Sequence, residues 1–464
     1  MKSTHALSLL AGLGAFIGLV AIGCGSKETR IFDDPGGNDE GGFGFADGGD
    51  AKKACVGRQC DQVECGGGVE TTLTGKVYAP NGRLPLYNAI VYVPNSQPEE
   101  LVKGATCDKC GAVTGDPVVT ALTDATGSFE LRNVPVGKDV PLVIQIGKWR
   151  RQVVIPEIDR CTENKVSDPE LTRLPKSQSE GDMPQIALTT GGCDKLGCML
   201  PKVGIDPSEF GVEGDGPSKA VHVYLGSAGF GGPTAGPPGA ALAETLWQDT
   251  TKMMNYDMLI LSCECTESLQ NKGGSVNGPA FGAVTDYLKG GGRIFTTDFM
   301  YTWYRYSPDA DFKSATNLRG GAPGGGSPMT IDTSFPKGQA LSDWLASAAN
   351  VVGGRVTPDA MYGNVISIDP AKSQHWASSG TPNAGPRVFS VNVPVGVPAD
   401  QQCGKGVHID AHVNNDFNDD VNAQYPASCK TPMKPAESLL AFFFFDLASC
   451  IQNEGEPPKP PPVK

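Results

Sequence analysis

The chain has 464 residues, enough for two or three domains, and a formal net charge of -13 with only 19% charged residues. That balance excludes a strong electrostatic grip on nucleic acid. Sixty glycines and 37 prolines predict a molecule rich in loops and turns.

The N-terminus carries Lys2 and then an uncharged apolar run from Ala6 to Ile22, slightly short for a bilayer-spanning helix and placed where a secretory core region belongs. The run ends in Ala21-Ile22-Gly23-Cys24-Gly25-Ser26. This resembles the lipobox of bacterial lipoproteins, although Ala21 stands where that family prefers leucine. The resemblance implies cleavage after residue 23, lipid attachment at Cys24 and, because Gly25 is not aspartate, sorting to the outer membrane. Each buried acyl carbon would contribute about 0.8 kcal/mol to anchoring. With one of the 14 cysteines lipidated, an odd number remains. In an exported chain these read as disulfides with at least one free thiol. Cys107-Asp108-Lys109-Cys110 has the spacing of half a zinc knuckle, but the oxidising compartment favours disulfides.

Residues 24–65 read as a lipidated flexible tether and Cys-rich hinge. The Gly/Asp-rich part has almost no aliphatic side chains with which to offset chain entropy. From 66 to 160 the pattern is short alternating strands punctuated by turn signals such as Pro80-Asn81-Gly82 and Asp124-Ala125-Thr126-Gly127, which predicts an all-β sandwich. Gly75-Lys76-Val77, Pro85 to Val93, Thr123 to Phe129 and Val134-Pro135-Val136-Gly137 resemble the carboxypeptidase regulatory-like (transthyretin-like) module. That likeness implies a non-catalytic spacer, stabiliser or weak binder.

Residues 161–182 read as a polar connector. From 183 to 452 apolar runs alternate with helical stretches, predicting an α/β domain of the flavodoxin-like, doubly wound kind. Its expected helices are Ala240 to Asn255, Pro279 to Lys289, Gly338 to Val351 and Ala436 to Ser449, with Ala441 to Phe445 as a buried core element. Tyr256 to Glu264 and Tyr287 to Phe295 resemble the class I glutamine amidotransferase-like superfamily, nearest its ThuA-like branch. Residues 304–386 read as an insertion in that domain, and 453–464 as a Pro-rich disordered tail.

The amidotransferase resemblance implies a cysteine on a Gly-x-Cys-x-Gly elbow with a late His-x-Glu, because a thiolate needs an imidazole to activate it. No such elbow occurs; the matching strand ends in Thr296-Thr297-Asp298, while His408-Ile409-Asp410 mimics the late pair. A hydrolase or amidase would therefore have to use His408 and Asp410 with a thiol from Cys263 or Cys265. Gly226 to Gly232 lacks the Gly-Lys-Ser/Thr of a phosphate-binding loop and reads as a plain loop. Asp410, Asp416, Asp419 and Asp420 concentrate hard oxygen ligands and form the candidate calcium site. Tyr301, Trp303 and Arg305 follow a strand's C-terminal end and are candidates for stacking on a ligand, with core packing as the bland alternative. The leading expectation is a non-catalytic cell-surface lipoprotein with a binding or envelope-structural role, recognition of a glycan or an envelope protein being one form of it, without a cofactor apart from the candidate calcium.

Overall fold

The structure, a computed structural model, describes residues 55–107, 113–229, 232–321, 327–380, 384–416 and 426–463. Cys24, the tether before residue 55, and Asp419 and Asp420 lie outside them. Among the described residues no helix is long and apolar enough to cross a membrane.

The β-sandwich comprises β1 (Thr72–Lys76), β2 (Ile90–Pro94), β3 (Pro117–Leu122), β4 (Ser128–Arg132), β5 (Gly137–Ile146), β6 (Trp149–Ile158) and β7 (Glu163–Val166). One sheet has the order β4-β1-β7 and the other β3-β2-β5-β6. The expected turns form through side chains. Asn81 Oδ1 accepts from the Arg83 and Leu84 amides at 2.9 and 3.0 Å, and Asp124 Oδ1 from those of Thr126 and Ser128 at 2.7 and 3.0 Å. Alternation then turns Leu73, Val91, Phe129, Leu131, Leu142 and Ile144 inward. The segment expected as a connector supplies β7, which pairs in parallel with β1. Its polar side chains hid the strand because one face looks to solvent.

The second part has β8 (Ile186–Thr189), β9 (Phe210–Gly211), β10 (Val221–Tyr224), β11 (Met258–Leu261), β12 (Arg293–Thr297), β13 (Thr316–Leu318), β14 (Met329–Ile331), β15 (Arg355–Val356), β16 (Ala360–Met361), β17 (Val365–Ile368), β18 (Gln374–Ser379), β19 (Gly385–Val393), β20 (Gly404–Ile409) and β21 (Ala411–His412). Ten of them form one mixed sheet in the order β15-β14-β18-β19-β20-β12-β11-β8-β10-β9. The run from β20 to β9 is parallel and the other strands are antiparallel. Every residue of β8, β10, β11 and β12 is buried, as a sheet covered on both faces requires. The fold class is thus a β-sandwich followed by an α/β domain. The expected insertion is not separate, since it contributes β14, β15 and β18 to the main sheet.

The helix Pro279–Lys289 covers one face of the sheet with Phe281, Val284 and Leu288. The expected helix from Ala240 to Asn255 is instead two short ones, Glu244–Trp247 and Thr250–Met253. Asp249 separates them in an extended conformation and caps the second by accepting from the Lys252 amide at 3.0 Å. The helix Pro435–Ala448 is mostly apolar and buried from Ala436 to Ala448. Sandwich and sheet share it. Trp149 packs edge-on to Phe444 at 5.7 Å, Tyr87 stacks on Phe442 at 5.8 Å, and Trp376 meets Phe443 at 5.0 Å. At Gly147 a Cβ would lie 1.4 Å from the Ala448 carbonyl oxygen, so this approach of hairpin to helix requires glycine.

The tail is also tied to this core. Glu454 is buried and pairs with Lys405 and, at 2.6 Å, with Lys337. Both lysines also hold Asp446, at 2.9 and 2.6 Å, and Thr120 Oγ1 donates to the Pro461 carbonyl at 2.7 Å. The expectation of a disordered tail is corrected by these bonds. Composition registers the prolines and misses the ion pairs.

Candidate functional site

In open α/β sheets, ligands bind beyond the C-terminal ends of the strands, where the strand order reverses. The order β10-β8-β11-β12-β20 reverses between β8 and β11. A disulfide between Cys193, which follows β8, and Cys265, which follows β11, spans that point. Backbone fills the space beneath it, for a Cβ at Gly191 would lie 2.1 Å from the Cys263 carbonyl oxygen. The crevice is closed covalently and by packing.

Next to this closure the strand ends gather polar side chains in the interior. Asp298 follows β12 with φ +40°, a left-handed backbone that is uncommon for a residue with a side chain. Its Oδ2 receives His412 Nε2 at 2.9 Å and the Cys263 thiol at 3.3 Å, while Oδ1 accepts from Asn364 Nδ2 at 3.2 Å. The same Asn364 nitrogen donates to Asp410 Oδ1 at 2.8 Å, and the Val365 amide donates to Asp410 Oδ2 at 3.1 Å. Arg387 Nη1 stands 3.9 Å from Asp410 Oδ2. Asp194 accepts from the Val413 and Asn414 amides at 3.1 and 2.9 Å, and Tyr362 lies over His412 with ring centroids 5.0 Å apart.

Cys263, Asp298, Asp410 and Asp194 are fully buried and His412 nearly so. Burial pushes the carboxyls of Asp194 and Asp410 up to about 6. The Cys263 thiol is raised well above its ordinary value by burial and then by the Asp298 charge. Burial opposes the charged form of His412, yet its hydrogen bond to Asp298 and the negative charge of Asp194 leave it raised. A thiol held protonated is a poor nucleophile.

The proposed catalytic set does not assemble. Cys265 has no thiol to offer, because it is bonded to Cys193. Cys263 is the free cysteine among the described residues, and it is buried. His408 lies in β20, packed against Phe389 and Tyr304 at 5.3 and 5.8 Å, with Nδ1 2.9 Å from Thr296 Oγ1. Burial lowers its pKa to about 3, so it is a neutral core histidine. Asp410 bonds to Asn364 and Val365 instead.

Of the candidate calcium ligands, Asp410 points into this buried network and Asp416 lies 3.8 Å from Lys434 Nζ. The ligand-stacking expectation is corrected as well. Tyr301 and Trp303 are buried, Trp303 packing on Trp247 at 5.3 Å and Phe281 at 5.4 Å. Glu267 accepts from Tyr301 Oη at 2.7 Å and from Arg305 Nη1 at 2.9 Å, so the cation already has a partner. His412, Asp194 and Asn364 escaped the sequence reading. Asp194 and His412 follow the apolar strands β8 and β20, a weak signal without the strand order, and Asn364 precedes β17 and carried none.

An open groove of about 540 Å³ lies next to the closed crevice, at the ends of β10 and β11. Leu225, Leu242 and Leu269 line it together with Ser227, Thr266 and Asn271.

No protein-family model matches the chain, and the comparison with curated proteins finds no match. Among solved structures, the cytoplasmic protein STM3548 from Salmonella typhimurium is 10% identical, with TM-score 0.29, over 56% of this chain and 98% of that one. Two mutants of a type II cohesin-X-dockerin complex from Acetivibrio cellulolyticus also match. One is 16% identical with TM-score 0.14, over 22% of this chain and 56% of that one. The other is 15% identical with TM-score 0.15, over 31% and 75%. These are distant likenesses in shape.

Proposed function

We propose that the chain is an exported lipoprotein, anchored through Cys24 at the outer membrane, whose folded part has a non-catalytic binding or envelope-structural role. The Cys193–Cys265 disulfide carries this reading, because it occupies the place where an α/β enzyme of this topology would admit substrate. In the same reading the sandwich is a carboxypeptidase regulatory-like spacer, and the α/β domain is an amidotransferase-like scaffold with Asp298 at its elbow. Further disulfides, Cys65–Cys161, Cys107–Cys403 and Cys198–Cys429, support an oxidising compartment outside the cytoplasm.

The groove at the ends of β10 and β11 favours a polar ligand with apolar faces, and a glycan has that character. The Ser227 and Thr266 hydroxyls give it a polar rim, and leucines offer apolar contact. The test assays the purified full chain on ester, amide and glycoside panels, with and without added zinc, and in parallel on a glycan array. Array binding that falls on Leu242→Asp, an exposed residue of the groove, with no turnover above a heat-denatured control, supports the reading. Turnover abolished by Cys263→Ala and His412→Ala would replace it with an exported hydrolase. Mass spectrometry of the mature N-terminus tests the anchor, and an unmodified Cys24 would remove it from the account.

A further inference from the structure

Cys263, Asp298 and His412 come from three segments, following β11, following β12 and in β21, and turn a sulfur, an oxygen and a nitrogen to one point. The three ligand atoms lie within 4.8 Å of one another, and all three residues are buried. Tetrahedral zinc, with bonds of about 2.3 Å to sulfur and about 2.0–2.1 Å to nitrogen and oxygen, sets its ligand atoms roughly 3.3–3.6 Å apart. Here Sγ and Oδ2 are 3.3 Å apart, and Oδ2 and Nε2 are 2.9 Å apart. The Sγ–Oδ2 separation already matches, the Oδ2–Nε2 one is a few tenths of an ångström short, and Sγ and Nε2 lie within 4.8 Å.

We propose that Cys263, Asp298 and His412 bind a borderline-soft divalent transition-metal ion of the zinc class. Two further observations support it. Asn364 holds Asp298 by Oδ1 alone, which fixes the carboxylate and leaves Oδ2 directed at the other two groups, as an outer-shell partner does. Two more buried carboxylates, Asp194 and Asp410, lie close to the triad, and Arg387 stands 3.9 Å from Asp410. A divalent ion neutralises such an acidic interior. The donor set also selects the metal, since thiolate and imidazole suit zinc, whereas calcium takes oxygens only. On binding, the Cys263 S–H bond breaks, its proton passes to solvent and the sulfur donates its electron pair to the ion. The Nε2 proton that His412 shares with Asp298 leaves as well, to solvent from an imidazolium or to Nδ1 in the neutral ring, so that Nε2 offers its lone pair and Nδ1 carries the remaining proton.

This site is independent of the proposed function, because a metal here leaves the Cys193–Cys265 closure in place. Failure to bind metal therefore leaves the non-catalytic reading standing, and turnover leaves the metal site standing. The experiment uses the full chain, refolded and oxidised in the presence of zinc or cobalt(II) so that the ion can enter before the crevice closes, and then dialysed. We expect a stoichiometry of about one metal per chain. Cobalt should give a thiolate charge-transfer band that disappears in Cys263→Ala, and zinc should protect Cys263 from alkylation in the partly denatured wild type. A wild-type chain that retains no metal overturns the proposal. So does a cobalt spectrum without the thiolate band, or a band that persists in Cys263→Ala. If that variant does not fold, the wild-type measurements decide.

Discussion

His408 is a buried imidazole whose pKa falls to about 3 because charging it would strand a cation between aromatic rings. The unfolded chain takes up a proton at this residue near pH 6.5, and the folded one does not until about pH 3. Its contribution to stability is therefore complete above pH 6.5 and drains away as the pH falls between those values, by on the order of 5 kcal/mol. Asp194 and Asp410 act in the opposite sense, since carboxyls raised to about 6 favour the folded state more as the pH falls. Substituting His408→Asn isolates the histidine. The variant should lose stability at pH 7 through its smaller side chain, and its urea midpoint should decline less than the wild type's between pH 6.5 and 4. Parallel profiles would show that His408 titrates normally. The sequence displayed His408 and Asp410 as a catalytic-looking pair, yet a two-residue spacing does not say whether a side chain faces the crevice or the core. The odd cysteine count announced a free thiol, and only the meeting of β8 with β11 made it Cys263.

Strands and helices were legible in the sequence wherever one period governed the segment. The helix Pro279–Lys289 and strands β1 to β6 lie where alternation or helical spacing put them. Reading failed where a single polar contact decides the element, as at Asp249, or where an edge strand is polar, as at β7. The helix Pro435–Ala448 was legible as buried, but what covers it was not, because its partners are remote in sequence. Phe444→Ala should cost about 3–5 kcal/mol by removing a ring packed on Trp149, measured by urea denaturation. A loss below about 1 kcal/mol would mean that sandwich and helix are not packed together. Beneath the same helix, burial opposes ionisation of Asp446, yet Lys337 and Lys405 hold its carboxyl well below the usual range. Lys405→Met leaves Asp446 and Glu454 without that cation and should destabilise the fold by about 3–5 kcal/mol. An unchanged midpoint would show the cluster to be hydrated.

Across the whole molecule one core runs from the sandwich through the shared helix into the sheet, so the two parts should unfold together. Calorimetry should show a single transition for the oxidised chain, and two well-separated transitions would divide it. The Cys198–Cys429 bond closes a separation of 231 residues, so removing it with paired alanines should cost about 2–5 kcal/mol. Alkylation of Cys263 reports whether the crevice between the ends of β8 and β11 is closed. With chelator present and the disulfides intact, a small iodoacetamide should leave Cys263 unlabelled in the native protein and modify it after denaturation. Rapid labelling of Cys263 in the native protein would mean that the crevice is open and that the catalytic reading must return.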